Sequence, residues 1–239
     1  MTRRARVLAG RDSRAATNEL LAGLQRGGFA PRALGGFIAD ATLRSWREAR
    51  KRPRAVVEAT AVHVAVGALA GRRGLPWIVT SWLMAVTHFG MLEGRRDLGA
   101  ANVLTVARGA LPAAGHRLGS PATVALALAT DFADGKLARG TASVTRFGAQ
   151  GDFLADTALW TWFVLRHERS AAWRVATFAA WAAPVLGVTA VSFARGGMVD
   201  LPRSRWFRPA AAVEVLIGGR VLWRWWASRR VSGHLIRRA

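Results

Sequence analysis

The chain has no cysteine, so no disulfide, thiolate ligand or thiol nucleophile is available to it. Lysine is nearly absent: Lys51 and Lys136 are the only two, and arginine carries the rest of the positive charge. Acids are scarce, with 14 Asp and Glu against 35 Lys and Arg, which leaves a net charge of +21. The charged start M-T-R-R-A-R is not followed by an apolar run, so the pattern of a cleavable signal peptide is missing. Even so, 51% of the 239 residues are hydrophobic, and the mean hydropathy is +0.16. That is too apolar and too basic at once for an ordinary soluble domain. Apolar stretches bracketed by arginine clusters are the pattern of an all-α, polytopic membrane protein. The bracketing also speaks against nucleic acid as a partner and for anionic lipid headgroups.

Against this scarcity of acids, Asp131, Asp134, Asp152 and Asp156 fall in one 26-residue window. The first two are three apart and the last two are four apart. On helices, both spacings place the pair on one face. Two such helices joined by a short polar loop aim four carboxylates at one point. Anions that close repel unless a cation sits among them. An oxygen-only set suits a hard divalent ion such as Mg2+ or Mn2+.

Residues 1–54 are polar and arginine-rich. Pro31 starts a helix whose Leu34, Phe37, Ile38, Ala41 and Ser45 mark one face, with Arg32, Asp40, Arg44 and Arg47 opposite. This predicts an amphipathic helix on an anionic membrane surface, the alternative being a helix packed on the core. Residues 55–92 hold two apolar segments, 55–71 and 76–92, each near the length a bilayer needs. His63 and His88 in them read as hydrogen-bonded structural residues, and Glu58 as a water-facing acid. Residues 93–239 form the remaining unit. Helices are expected at 102–117, 120–139, 148–165, 172–193 with a kink at Pro184, and 210–227. Asn102, Thr105 and Arg108 recur at three-residue steps on one face. About 6–7 transmembrane helices result. A cytoplasmic 1–54 satisfies the positive-inside rule, but seven spans leave Arg229, Arg230, Arg237 and Arg238 outside. Trp223, Trp225 and Trp226 fit an interfacial aromatic belt.

The pattern D-x2-D-G-x2-A-R-x8-G-x3-D-x3-D is met by Asp131, Asp134, Gly135, Ala138, Arg139, Gly148, Asp152 and Asp156. This resembles the signature of the CDP-alcohol phosphotransferases (CDP-alcohol phosphatidyltransferases), membrane enzymes that join an alcohol to a phosphatidyl or related group and release CMP. Upstream, N-V-L-T-V-A-R-G-A-L-P, with Asn102, Thr105, Arg108 and Pro112, resembles the opening of that family's first core helix; Ala101 stands where the family often has Pro. The resemblance covers about residues 95–227.

It implies a cytoplasmic-side site holding two divalent ions. Asp131, Asp134 and Asp152 would bind metal. Asp156 would complete the site and act as the base. Asn102, Thr105, Arg108, Gly135, Ala138, Arg139 and Gly148 would meet the CDP donor. Arg195, Arg203 and Arg205 would suit a phosphorylated alcohol acceptor, although positive-inside topology accounts for them equally well. The implied donor is CDP-diacylglycerol, in a bacterial plasma membrane, with a homodimer by family analogy. CDP-choline or CDP-ethanolamine with diacylglycerol is the alternative donor class. Two rival readings are a catalytically silent relative and a transporter with an acidic cation path; the latter would spread its acids across membrane depth.

Overall fold

A computed structural model describes residues 7, 10, 12–140, 145–199 and 203–236, except the side chains at 138, 139, 203–209 and 229–236. Its described residues form helices and no strands. The elements are α1 (Ser13–Arg26), α2 (Pro31–Arg50), α3 (Pro53–Ala70), α4 (Leu75–Thr87), α5 (Gly99–Gly140), α6 (Arg146–His167), α7 (Ala171–Thr177), α8 (Ala183–Arg195) and α9 (Arg203–Ile236). Short 3-10 turns at Arg72–Gly74 and Phe89–Leu92 flank α4.

Local chemistry sets the boundaries. Asp12 caps α1 by accepting the Arg14 N–H at 2.8 Å. Proline sits at the first turn of α2, α3 and α4, where its missing N–H costs nothing. Helix α5 is two helices in series, because Gly119 lies at φ 75 and ψ 163. Only glycine takes such a backbone readily, and Pro121 restarts the helix beyond it. Between α7 and α8 the residues Phe178–Ala182 wind as a π-helix. Pro184 has no N–H to give and crowds the carbonyl four residues back, so a wider turn there relieves both problems. The kink expected at Pro184 is therefore a change of winding within one run, Ala171–Arg195.

The main core is built on α6. Leu159, Trp160, Phe163 and Val164 pack with Val124 and Ala127 of α5, Trp181 of the π-helix, and Ala210 and Ile217 of α9. A second cluster, with Ala55, Ala59, Phe89, Leu92, Leu98, Val106 and Phe147, binds the N-terminal helices to α5 and α6. Apolar side chains also point outward on many helices, among them Val57, Val64, Val79, Val175, Leu186, Val215 and Trp223. Two helical runs among the described residues are long and apolar enough to cross a membrane, Pro53–Ala70 and Ala171–Arg195.

Several sequence expectations need correction. Helix α4 has 13 residues, about 20 Å at 1.5 Å per residue, short of the ~30 Å hydrocarbon core. Arg44, on the polar face of α2, is buried and donates to the carbonyls of Val7 and Gly10 at 2.6 and 2.9 Å. Phe37 meets Phe193 of α8 with tilted rings 6.0 Å apart and Ala49 joins the second core cluster, so α2 packs on the rest of the protein on one side while Leu34, Ile38 and Trp46 stay exposed. Glu58 accepts the Leu98 N–H at 2.7 Å, closing the turn into α5. His63 and His88 are structural as expected, bonded to the Ala59 and Met84 carbonyls.

Arg52 ties these helices together. It pairs with Glu48 at 2.6 Å and donates to the carbonyls of Glu93 and Arg95 at 2.6 and 3.1 Å. Burial raises the Glu48 carboxyl, but hydrogen bonds and charge from Lys51 and Arg52 outweigh this and hold it below its ordinary value. A lowered folded value means the stabilisation is complete above the unfolded carboxyl range. It is lost as pH falls through the lowered value. Glu48→Gln is therefore expected to lose about 3 kcal/mol at pH 7, since it leaves Arg52 buried without its partner. It should also flatten the acid limb of melting temperature against pH. Parallel acid limbs for variant and wild type would refute this.

Candidate active site

Three helical segments supply the site. The first half of α5 carries Asn102, Thr105 and Arg108, its second half carries Asp131 and Asp134, and α6 carries Asp152 and Asp156. Their convergence is the one expected from spacing, with one addition. Arg108 is completely buried and faces all four carboxylates. Its Nη1 lies 2.9 Å from Asp134 and 3.5 Å from Asp131, its Nε lies 2.6 Å from Asp156 Oδ1, and its Nη2 pairs with Asp152. Thr105 also donates to Asp134, at 3.1 Å. The arrangement is a cup. Arg108, Asp134 and Asp156 form a buried floor, while Asp131 and Asp152 form a half-exposed rim.

Charge and geometry both leave room for a further cation. Among the described residues, the four carboxylates outnumber the one guanidinium that pairs with them. Ligand oxygens of Asp131, Asp152 and Asp156 all lie within 4.8 Å of one another. Although Asp156 Oδ1 is close to Arg108 Nε, the two are not aligned for a hydrogen bond, and neither atom has another such partner. A buried acceptor with a free lone pair, in an all-oxygen set, fits a hard divalent ion.

Asn102 is buried near the start of α5 and donates to the Leu98 carbonyl and to Thr145 Oγ1, beside the start of α6 rather than to the carboxylates. Thr145 in turn caps α6 by accepting the Gly148 N–H at 2.9 Å. A Cβ on Gly148 would stand 2.5 Å from Asn102 Oδ1, so glycine is required for this approach. Gly135 is half-buried on α5, and Arg195 is exposed at the end of α8. The side chains of Ala138, Arg139, Arg203 and Arg205 lie outside the described residues. Lys136 lies over the Phe132 ring at 4.4 Å.

Sequence reading missed one acid. Glu214 of α9 is buried and its charge acts on Asp131, Arg108, Asp152 and Asp156. A single acid in the apolar run A-A-A-V-E-V-L-I was the available signal.

A family model described as CDP-alcohol phosphatidyltransferase matches residues 98–235, from the entry of α5 almost to the end of α9. The chain belongs to the CDP-alcohol phosphatidyltransferase family. No curated protein and no solved structure matches it. Membership supports phosphatidyl transfer from a CDP-alcohol and accords with a membrane association. The family usually uses divalent metals, which suits the aspartate cup. Helices α1–α4 lie outside the matched region, so the second core cluster joins family and non-family parts of the chain.

Proposed function

We propose that this phosphatidyltransferase moves a phosphatidyl group from a CDP-diacylglycerol-type donor to a small alcohol, releasing CMP, in phospholipid biosynthesis. The observation that carries the reading is the cup itself, four carboxylates with a buried floor and an open rim. Asp131, Asp134, Asp152 and Asp156 hold the metal, two ions of Mg2+ or Mn2+. Bound there, divalent ions supply charge neutralisation for the pyrophosphate and the departing CMP. Asp156 takes the alcohol proton. The alcohol oxygen bonds to the phosphatidyl phosphorus, the phosphorus–oxygen bond to CMP breaks, and its electron pair leaves on the CMP phosphate. Gly135 and Ala138 keep the helix surface low beside the nucleotide, and Arg139 pairs with a donor phosphate. Arg195, Arg203 and Arg205 receive the acceptor's phosphate where it carries one.

A lipid donor is supported by an apolar cavity of about 230 Å3 between α4, α5 and α6, lined by Trp77, Met84, Val106, Leu154 and Ala158. Thr105 lines it too, so cavity and cup share a wall. In this reading residues 1–54 form an interfacial segment on anionic lipid, 55–92 two added helices, and 93–239 the catalytic core. The chain has six or seven spans as a homodimer in a bacterial plasma membrane, with the cup facing the cytoplasm. Purified protein should release CMP from CDP-diacylglycerol in the presence of one alcohol from a panel including glycerol 3-phosphate and inositol phosphate. It should not do so from CDP-choline or CDP-ethanolamine with diacylglycerol. No CMP from any pair in folded, metal-supplied protein would favour a silent family member.

A further inference from the structure

The cation among the four aspartates is supplied by the chain. Arg108 comes from the first half of α5 and reaches carboxylates on both other segments. Three of its four partners are the aspartates whose oxygens converge within 4.8 Å. A guanidinium and a divalent ion therefore claim the same lone pairs. A divalent ion bound at those oxygens weakens the guanidinium's hold on them, because the two cations repel at that range.

The contacts divide into held and loose ones. Those to Asp134 and Asp152 are aligned hydrogen bonds. The one to Asp156 is misaligned, and the one to Asp131 is long at 3.5 Å. Asp134 keeps a second donor in Thr105, so it remains hydrogen-bonded if the guanidinium leaves. Without any cation, the buried carboxylates of Asp134 and Asp156 would face each other uncompensated, which is costly. Arg108 is the counter-ion that the fold itself supplies to them.

We propose that Arg108 is an exchangeable counter-ion: a divalent cation displaces it from the aspartates, so Arg108 sets the metal affinity, and the displaced guanidinium then pairs with the donor's pyrophosphate. This rests on the metal-dependent transfer proposed above. It makes metal and donor binding cooperative, since the ion frees the group that grips the donor. A purely structural arginine has the opposite signature. Its loss would slacken the cup and weaken metal binding.

The test is calorimetric titration of Mn2+ into full-length protein in detergent, without donor. Arg108→Gln removes the competing charge and is expected to bind Mn2+ at least about tenfold more tightly. Arg108→Lys keeps the charge but gives up the planar fork, and is expected to gain about threefold. At saturating Mn2+, Arg108→Gln should also bind the CDP donor more weakly than wild type. Unchanged or weaker Mn2+ binding in Arg108→Gln overturns the inference. If that variant does not fold, unchanged or weaker binding in Arg108→Lys overturns it. Mn2+ binding to none of the proteins sinks it together with the metal reading. By contrast, CMP release that persists in chelator sinks the parent reading, whatever the affinities do.

Discussion

Asp156→Asn is expected to lower turnover by about 10²–10⁴-fold, the usual loss on removing a general base, while CDP-donor binding stays near the wild-type level. Asp156 sits on the buried floor, and its carboxylate accepts no aligned hydrogen bond at Oδ1 although Arg108 Nε is 2.6 Å away. Asparagine keeps the shape and one acceptor oxygen but cannot take the alcohol proton. Asp131 is the contrasting case. It lies on the exposed rim and its contact to Arg108 is the longest of the four. Asp131→Asn should weaken metal binding, and donor binding with it, because the pyrophosphate is gripped through the ion. Titration of metal and donor into both variants separates the roles. Equal loss of metal affinity in the two would make Asp156 chiefly a ligand, with the proton leaving through water.

Chelation is expected to abolish CMP release, and added Mg2+ or Mn2+ to restore it. Arg108 offsets one of the four aspartate charges, and the pyrophosphate of the donor adds more negative charge to the same cup. An anionic donor is repelled by a site in which carboxylates outnumber the paired guanidinium until further cations arrive. The effect should be all-or-none within the sensitivity of the assay, and the restoring metal should follow the preference for oxygen ligands. Full release in excess chelator would remove metal from the mechanism and leave Arg108 as the cup's cation throughout.

Local spacing made much of this site legible. Asn102, Thr105 and Arg108 share a face at three-residue steps, and all three prove buried. The aspartate pairs face each other as their spacings require, and the break between 117 and 120 falls at Gly119. Spacing shows which face a residue occupies but not what lies opposite. The face of Arg108 is legible, but the four aspartates opposite it are visible only in the fold. Glu214 comes within electrostatic range of the cup only through the packing of α9, which no local pattern encodes. The apolar run 76–92 read as one span because hydropathy does not register a change in winding; the helix ends at Thr87 and a 3-10 turn follows. Spacing puts Arg44 on the polar face of α2 but does not show that this face is buried there, where two backbone carbonyls offset the cost.

The grip of Arg52 on the carbonyls of Glu93 and Arg95 has a consequence for parity. Residues 53–92 leave from Arg52 and return to it, so they form a closed excursion. Whatever depth α3 and the shorter α4 reach, the chain re-emerges where it departed. An excursion of that kind adds an even number of reversals, and so leaves the sidedness of every later helix unchanged. The family portion from residue 98 onward can thus carry these two helices without inverting its own cup.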